Sequence, residues 1–137
     1  MKITINGNPV TKKNSQEIRF KNWRKRTGPF IVPSAIYRTY ERDFCEQCIN
    51  SHVVPNEPLN EPIEVTCLYY RKTRIRCDLT NLLECTDDCL VKANIIKDDN
   101  FKIIVSHDGS RVLFDKENPR VEIIIKRLNF AYSTQIL

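Results

Sequence analysis

Six acids stand within a stretch of 22 residues: Asp78, Glu84, Asp87, Asp88, Asp98 and Asp99. The spacing of the first four suggests a purpose. If a helix begins near Thr80, then Thr80, Glu84 and Asp88 are four residues apart and share one face, with Asp87 one helical step round from it. Like charges at that spacing destabilise an isolated helix by a few tenths of a kcal/mol, and a cation on the face removes the penalty. Hard cations such as Mg²⁺ and Mn²⁺ prefer carboxylate oxygens. Mg²⁺ usually takes one or two of them together with waters and a substrate phosphate. Asp78, the helix acids and Asp99 therefore form a candidate metal set. Two such ions about 4 Å apart would clamp the attacking and leaving oxygens of a phosphodiester. A solvated acidic helix face reads the same way, so the acids alone leave both readings open.

Basic segments flank these acids. Residues 12–26 carry Lys12, Lys13, Arg19, Lys21, Arg24, Lys25 and Arg26 against the single acid Glu17, and Arg71, Lys72, Arg74 and Arg76 immediately precede Asp78. The net charge is +5. Acids held beside basic arms suit a metal site next to a phosphate-binding surface. Phe20, Trp23 and the cations around them have the composition of a surface that contacts a nucleic-acid backbone and stacks on unpaired bases. Candidate DNA contacts are Lys12, Lys13, Asn14, Arg24, Lys25, Arg26, Arg71, Arg74 and Arg76. His107, in the turn Ser106-His107-Asp108-Gly109, is either a proton donor, a phosphate contact or a structural residue.

The elements that must position these groups follow from periodicity. Lys2 to Asn6 alternates as a strand and Asn8-Pro9 ends it. Residues 10–33 read as a long basic loop broken by Gly28-Pro29. Ser34 is a good N-cap for a helix reaching about His52. Val54 to Pro62 is a proline-rich loop, and Ile63 to Tyr70 is a strand rich in β-branched and aromatic residues. Leu79 to Ala93 forms a second helix, with Asn94 as its stop. Phe101 to Ser106 is a strand, Asp108-Gly109 a turn signal, and Arg111 to Phe114 a further short strand. Val121 to Lys126 is the last clear strand, and residues 128–137 form a tail. The expected order is strand–helix–strand–helix–strand–strand. In 137 residues this implies one α+β domain: a two-layer sandwich, one mixed sheet backed by two helices.

No apolar run is long enough to span a membrane, and the polar, alternating N-terminus is unlike a signal peptide. The expected location is the cytoplasm. The six cysteines, Cys45, Cys48, Cys67, Cys77, Cys85 and Cys89, are then expected as reduced thiols. Two pairs have the count for a zinc site, but both fall inside amphipathic helical patterns, where cysteine behaves as a small core residue.

The arrangement of a basic run, Asp78-Leu79-Thr80-Asn81-Leu82-Leu83, a helix, Asp88-Cys89-Leu90 and then Ile96-Lys97-Asp98-Asp99 resembles the RusA-type Holliday-junction resolvases. The likeness is closest over residues 71–105. It extends more loosely to the first strand, to Lys12-Lys13-Asn14 and to the closing strand. It implies a homodimeric endodeoxyribonuclease, often carried by phages, that uses Mg²⁺ (Mn²⁺ as substitute) to cut branched double-stranded DNA. By resemblance, Asp78 and Asp99 are metal-binding aspartates, Asp88 is the mid-helix aspartate and Asn81 the motif asparagine. Two positions depart from the family pattern. Thr80 stands where Asp-x-Asp-Asn has its second aspartate, and Glu84 stands where resolvases of this type have a catalytic lysine. Either Glu84 takes over the missing carboxylate, or the chain is a catalytically impaired DNA-binding protein with the same fold.

Overall fold

The computed structural model describes residues 1–12, 16–20 and 29–129. Nine elements follow in order: β1 (Lys2–Asn6), β2 (Gln16–Phe20), β3 (Pro29–Pro33), α1 (Ala35–Asn50), β4 (Ile63–Arg71), α2 (Leu79–Lys92), β5 (Ile104–Ser106), β6 (Arg111–Phe114) and β7 (Arg120–Arg127). The main sheet has five strands, in the order β1-β7-β4-β5, with β6 also on β4. Strand β7 runs antiparallel to both β1 and β4, whereas β5 and β6 run parallel to β4. The sheet is therefore mixed, and with two helices it gives the α+β arrangement expected from the sequence.

Alternation sets the layers. In β4, Ile63, Val65, Cys67 and Tyr69 are buried; β1 adds Ile3 and Ile5, and β7 adds Val121, Ile123 and Ile125. Helix α1 buries Tyr37, Phe44 and Cys48, and α2 buries Leu82, Cys85, Thr86, Cys89 and Leu90. These side chains form one hydrophobic cluster. The cysteines are free thiols, four of them buried; of the two pairs in helical patterns, Cys48, Cys85 and Cys89 are core residues. One polar link crosses the layers inside the core: the Tyr69 and Thr86 hydroxyls lie 2.7 Å apart and tie β4 to α2.

Helix ends agree with local chemistry. Ser34 caps α1 by accepting from the Tyr37 amide. Asn94, at φ 58°, takes the left-handed conformation that stops α2. No described helix is long and apolar enough to cross a membrane.

Two expectations change. First, residues 10–33 are not simply a loop, because β2 and β3 pair as an antiparallel hairpin within them. The alternation in Gln16-Glu17-Ile18-Arg19-Phe20 carries the strand signal, and the density of charge around it obscures that signal. Second, the strand expected over 101–106 begins only at Ile104. The Ile103 and Ile104 amides both bond to the Asn100 carbonyl, making residues 100–103 a turn. The turn expected at Asp108-Gly109 is present, and it joins two strands that do not pair with each other. Strands β5 and β6 both pair with β4 in the same direction, at opposite ends of it. The turn is a step in one interrupted edge, held by Thr66 Oγ1 donating to the Asp108 carbonyl and by Ser110 Oγ accepting from the Cys67 amide. Gly109 sits there at φ +82°, a conformation that favours glycine.

The Tyr69–Thr86 link gives a direct test. Tyr69→Phe leaves the buried Thr86 hydroxyl without its partner and should lower stability by about 1–3 kcal/mol. Adding Thr86→Val should cost less than the sum of the two single changes. Urea unfolding of the three variants checks this.

Candidate functional site

Strand β4 ends at Arg71, and a short basic loop carries the chain to Asp78, the N-cap of α2. Asp78 is extended (φ −92°, ψ 131°), and its side chain makes no capping bond. Its backbone carbonyl instead accepts from the amides of Asn81 and Leu82, at 3.2 and 3.3 Å. Its carboxylate, at the positive end of the helix dipole, has Asn81 Nδ2 at 3.5 Å, too long for a strong bond. Asp78 is exposed, and so is Glu84.

The next turns carry two differently engaged acids. Asp88 Oδ2 accepts from Lys12 Nζ at 2.7 Å, and the same ammonium lies 5.2 Å from the Tyr37 ring centre. Burial alone would lower the Lys12 pKa, but the hydrogen bond and charge of Asp88 outweigh it and raise it. Asp87 Oδ2 lies 2.9 Å from His107 Nε2, and His107 Nδ1 lies 2.8 Å from the Val65 carbonyl. A carbonyl can only accept, so Nδ1 carries a hydrogen. The proton between Nε2 and Oδ2 therefore has two shared homes and no other. The second Asp87 oxygen, Oδ1, is buried with no partner among the described residues.

Asp99 approaches from the loop after α2. Its neighbour Asp98 binds within that loop, accepting from the Asp99 amide at 2.8 Å and from Asn100 Nδ2 at 2.7 Å. The pKa of Asp99 is raised by partial burial and then by the charge of Asp88. The pKa of Asp87 is raised by burial, against the pull of His107, with the charges of Asp99 and Asp88 adding to the rise. Asp87, Asp88 and Asp99 thus form an electrostatically crowded group.

The helix does place Thr80, Glu84 and Asp88 along one side, because all three lie within Leu79–Lys92. Electrostatic crowding joins Asp88 to Asp99. Glu84 has no ion pair or hydrogen bond among the described residues. No three histidine, cysteine, aspartate or glutamate side chains among the described residues converge into a metal-holding cluster. Arg71 ends β4, and Arg74 and Arg76 follow it, with Arg74 stacked over Phe114 at 4.2 Å. Lys13, Asn14, Arg24, Lys25 and Arg26 lie outside the described residues. Sequence reasoning missed the Lys12–Asp88 and Asp87–His107 pairs. Partners 76 and 20 residues apart leave no local signature.

A family model, Endodeoxyribonuclease RusA, matches residues 6–126. The chain belongs to the RusA endodeoxyribonuclease family. No curated protein matches the chain. The RusA match runs from the end of β1 through β7, and so takes in every acid and arginine described above. Within this RusA chain, the crowding of Asp87, Asp88 and Asp99 and the unpartnered Asp87 oxygen fit a hard cation. So does the donor set, which is oxygen-rich and, at Asp78 and Asp99, open to solvent.

The Asp87–His107 pair has a pH signature. Attraction to Asp87 and the Val65 carbonyl outweigh burial and raise the His107 pKa. A folded value above the unfolded one, about 6.5, means that the folded state binds the proton more tightly. The pair's contribution is therefore complete below about pH 6.5 and is lost as pH rises through the folded His107 value. The Asp87 shift has the same sign and acts at lower pH. Chemical denaturation between pH 6 and 9 should show the parent losing stability with rising pH. His107→Gln should remove that slope; an equal slope in both proteins would refute the pairing.

Proposed function

We propose that this chain is a structure-selective endodeoxyribonuclease that cleaves branched DNA such as Holliday junctions by metal-assisted phosphodiester hydrolysis. The observation that carries this reading is the RusA match over residues 6–126, within which Asp88 and Asp99 crowd one another. The resident ion would be Mg²⁺, with Mn²⁺ as a substitute. Asp78, Asp88 and Asp99 would hold it, with Glu84 in place of the carboxylate absent at Thr80. The ion would supply charge neutralisation and an activated water. A small donor set is sufficient, since Mg²⁺ completes its shell with waters and substrate phosphate.

The chain's own groups do the rest. Asp78 offers an exposed carboxylate at the start of α2. Glu84, one methylene longer than aspartate, leans toward the helix start as helical side chains do, and so toward Asp78. Lys12 neutralises Asp88 and gives an incoming phosphate a cation beside the acids. Lys13, Asn14, Arg24, Lys25, Arg26, Arg71, Arg74 and Arg76 would contribute sequence-independent contacts to the DNA backbone. Symmetrical cutting of two strands requires two sites, hence a homodimer. On this reading the protein is a cytoplasmic, phage- or prophage-type resolvase acting in DNA recombination and repair.

A second reading has support from two positions. Thr80 and Glu84 remove a carboxylate and a lysine from the family pattern, as a DNA-binding protein that no longer cleaves would also do.

Cleavage of a synthetic four-way junction separates the readings. With Mg²⁺ or Mn²⁺ the parent should cleave, and a chelator should abolish cleavage. Asp78→Asn should lose cleavage by at least about 100-fold while binding DNA as well or better, since an anion facing phosphate is removed. Glu84→Gln should lose nearly as much. The double change Thr80→Asp with Glu84→Lys should restore activity in part. Parent-like cleavage by Glu84→Gln would leave the site to Asp78, Asp88 and Asp99. A parent that binds junctions but never cuts them would establish the second reading.

A further inference from the structure

The cleft lined by the loop that leads into Asp78 has a chemistry of its own. The loop after β4 and the edge strand β6 leave the same end of β4, where Leu68–Arg71 pairs with Arg111–Phe114. Between them lies a cleft of about 540 Å³, within the size range of ligand pockets. Its walls are arginine and hydrocarbon, and Cys77, the residue before Asp78, closes one end. Ile75, Phe114 and Val112 are 71%, 41% and 39% exposed, so three large apolar side chains stand in solvent around one opening. Above the Phe114 ring sits the Arg74 guanidinium, 4.2 Å from its centre. Arg71 Nη1 donates to the Ile75 carbonyl and so pins the turn that presents Arg74 and Arg76. Of the described residues lining the cleft, none is acidic.

An aromatic face with apolar neighbours and three guanidinium groups is complementary to a nucleobase with its flanking phosphates. Stacking on an aromatic ring takes any base, since every base has a π-face, and arginine adds cation–π attraction and phosphate pairing. A duplex keeps its bases stacked on one another, so only an unpaired base can enter. A second copy of this chain is a poorer occupant. An isologous contact through this cleft would bring the same three arginines against themselves, and like charges facing one another oppose association.

We propose that the cleft lined by Arg71, Arg74, Arg76 and Phe114 is a subsite for one unpaired nucleotide of branched DNA, next in the chain to Asp78. It rests on the nuclease reading above and deepens it: the base takes the place of the Arg74 guanidinium on the Phe114 ring, and the displaced Arg74 meets its phosphates with Arg71 and Arg76. Flaps and forks carry such bases outright, and a four-way junction offers one only when a pair at the exchange point opens, so the subsite distinguishes branched from linear DNA without reading sequence.

The test is a binding comparison without divalent metal, so that no cleavage intervenes. The probes are a linear duplex, a four-way junction and a duplex with a short single-stranded flap carrying 2-aminopurine. The parent should bind the flap more tightly than the duplex and quench the 2-aminopurine. Phe114→Ala should weaken flap binding about 10-fold, leave duplex binding within about twofold and abolish the quench. Phe114→Leu, which keeps the apolar contact but has no ring, should also abolish the quench and serves if alanine does not fold. Phe114→Trp should retain both properties, and Arg74→Ala should weaken binding to every probe. A flap-to-duplex ratio unchanged in Phe114→Ala and Phe114→Leu would overturn the subsite while leaving the nuclease reading in place. The same holds if those variants only shift the dimer–monomer balance in sedimentation. A parent that binds neither junction nor flap would overturn both readings.

Discussion

Helix α2 is seated on strand β4 by a buried seam in which Leu82, Cys85, Cys89 and Leu90 meet the inward face of the sheet. The Tyr69–Thr86 hydroxyl pair is the only side-chain hydrogen bond among the described residues that lies wholly buried between those two elements. It restricts how far the helix can rotate or slide. Every acid of the site depends on that setting. Asp78 marks where α2 begins, and Asp87 and Asp88 lie half-buried at the edge of its seam. The loop bearing Asp99 leaves its far end. A rotation of α2 by one residue would carry Asp88 away from Lys12 and Asp87 away from His107. Apolar burial on one face of the helix is thus what allows acids to crowd on the other.

The architecture was legible wherever period and chemistry agreed. Ile63 to Tyr70 alternates with β-branched and aromatic residues, and it is the central strand β4. Ser34 and Asn94 have the side chains that a cap and a stop require, and both act so. Legibility failed where a local rule competed with a distant contact. Asp108-Gly109 has the chemistry of a hairpin turn, yet β4 offers both flanking strands the same partner, and Thr66 and Ser110 fix the step instead. Charge hid the β2–β3 hairpin because Arg19 and Glu17 interrupt the apolar signal without breaking its period of two.

At the site, the one-dimensional pattern gave residue types and the fold gave their engagement. The acids of α2 are equal in sequence, but they are not equal in space. Asp87 is held by an imidazole and Asp88 by an ammonium, whereas Glu84 is exposed with no ion pair or hydrogen bond among the described residues. Periodicity places side chains on a face, but it carries no information about which residue from elsewhere in the chain will arrive there. Lys12 comes from the segment after β1, and His107 from the step between β5 and β6. The two helical cysteine pairs show the converse: spacing alone identified Cys48, Cys85 and Cys89 as core residues, with Cys45 at the core's edge, because burial against a neighbouring layer is what helical spacing encodes.

The strand order has a consequence for how the chain is made. β7, the last strand in sequence, lies between β1, the first, and β4. Until residues 120–127 are available, β1 has no partner in the sheet and β4 lacks its longest one. Such distant pairing must close a loop of most of the chain before it gains any contact, which slows folding. During synthesis, then, the two helices and the β4 edge precede the strand that completes the sheet, and the exposed strand edges must wait for it. A ribosome that stalls before residue 120 would leave a chain holding all the acids of the site on a sheet without β1 or β7, only β4 with β5 and β6.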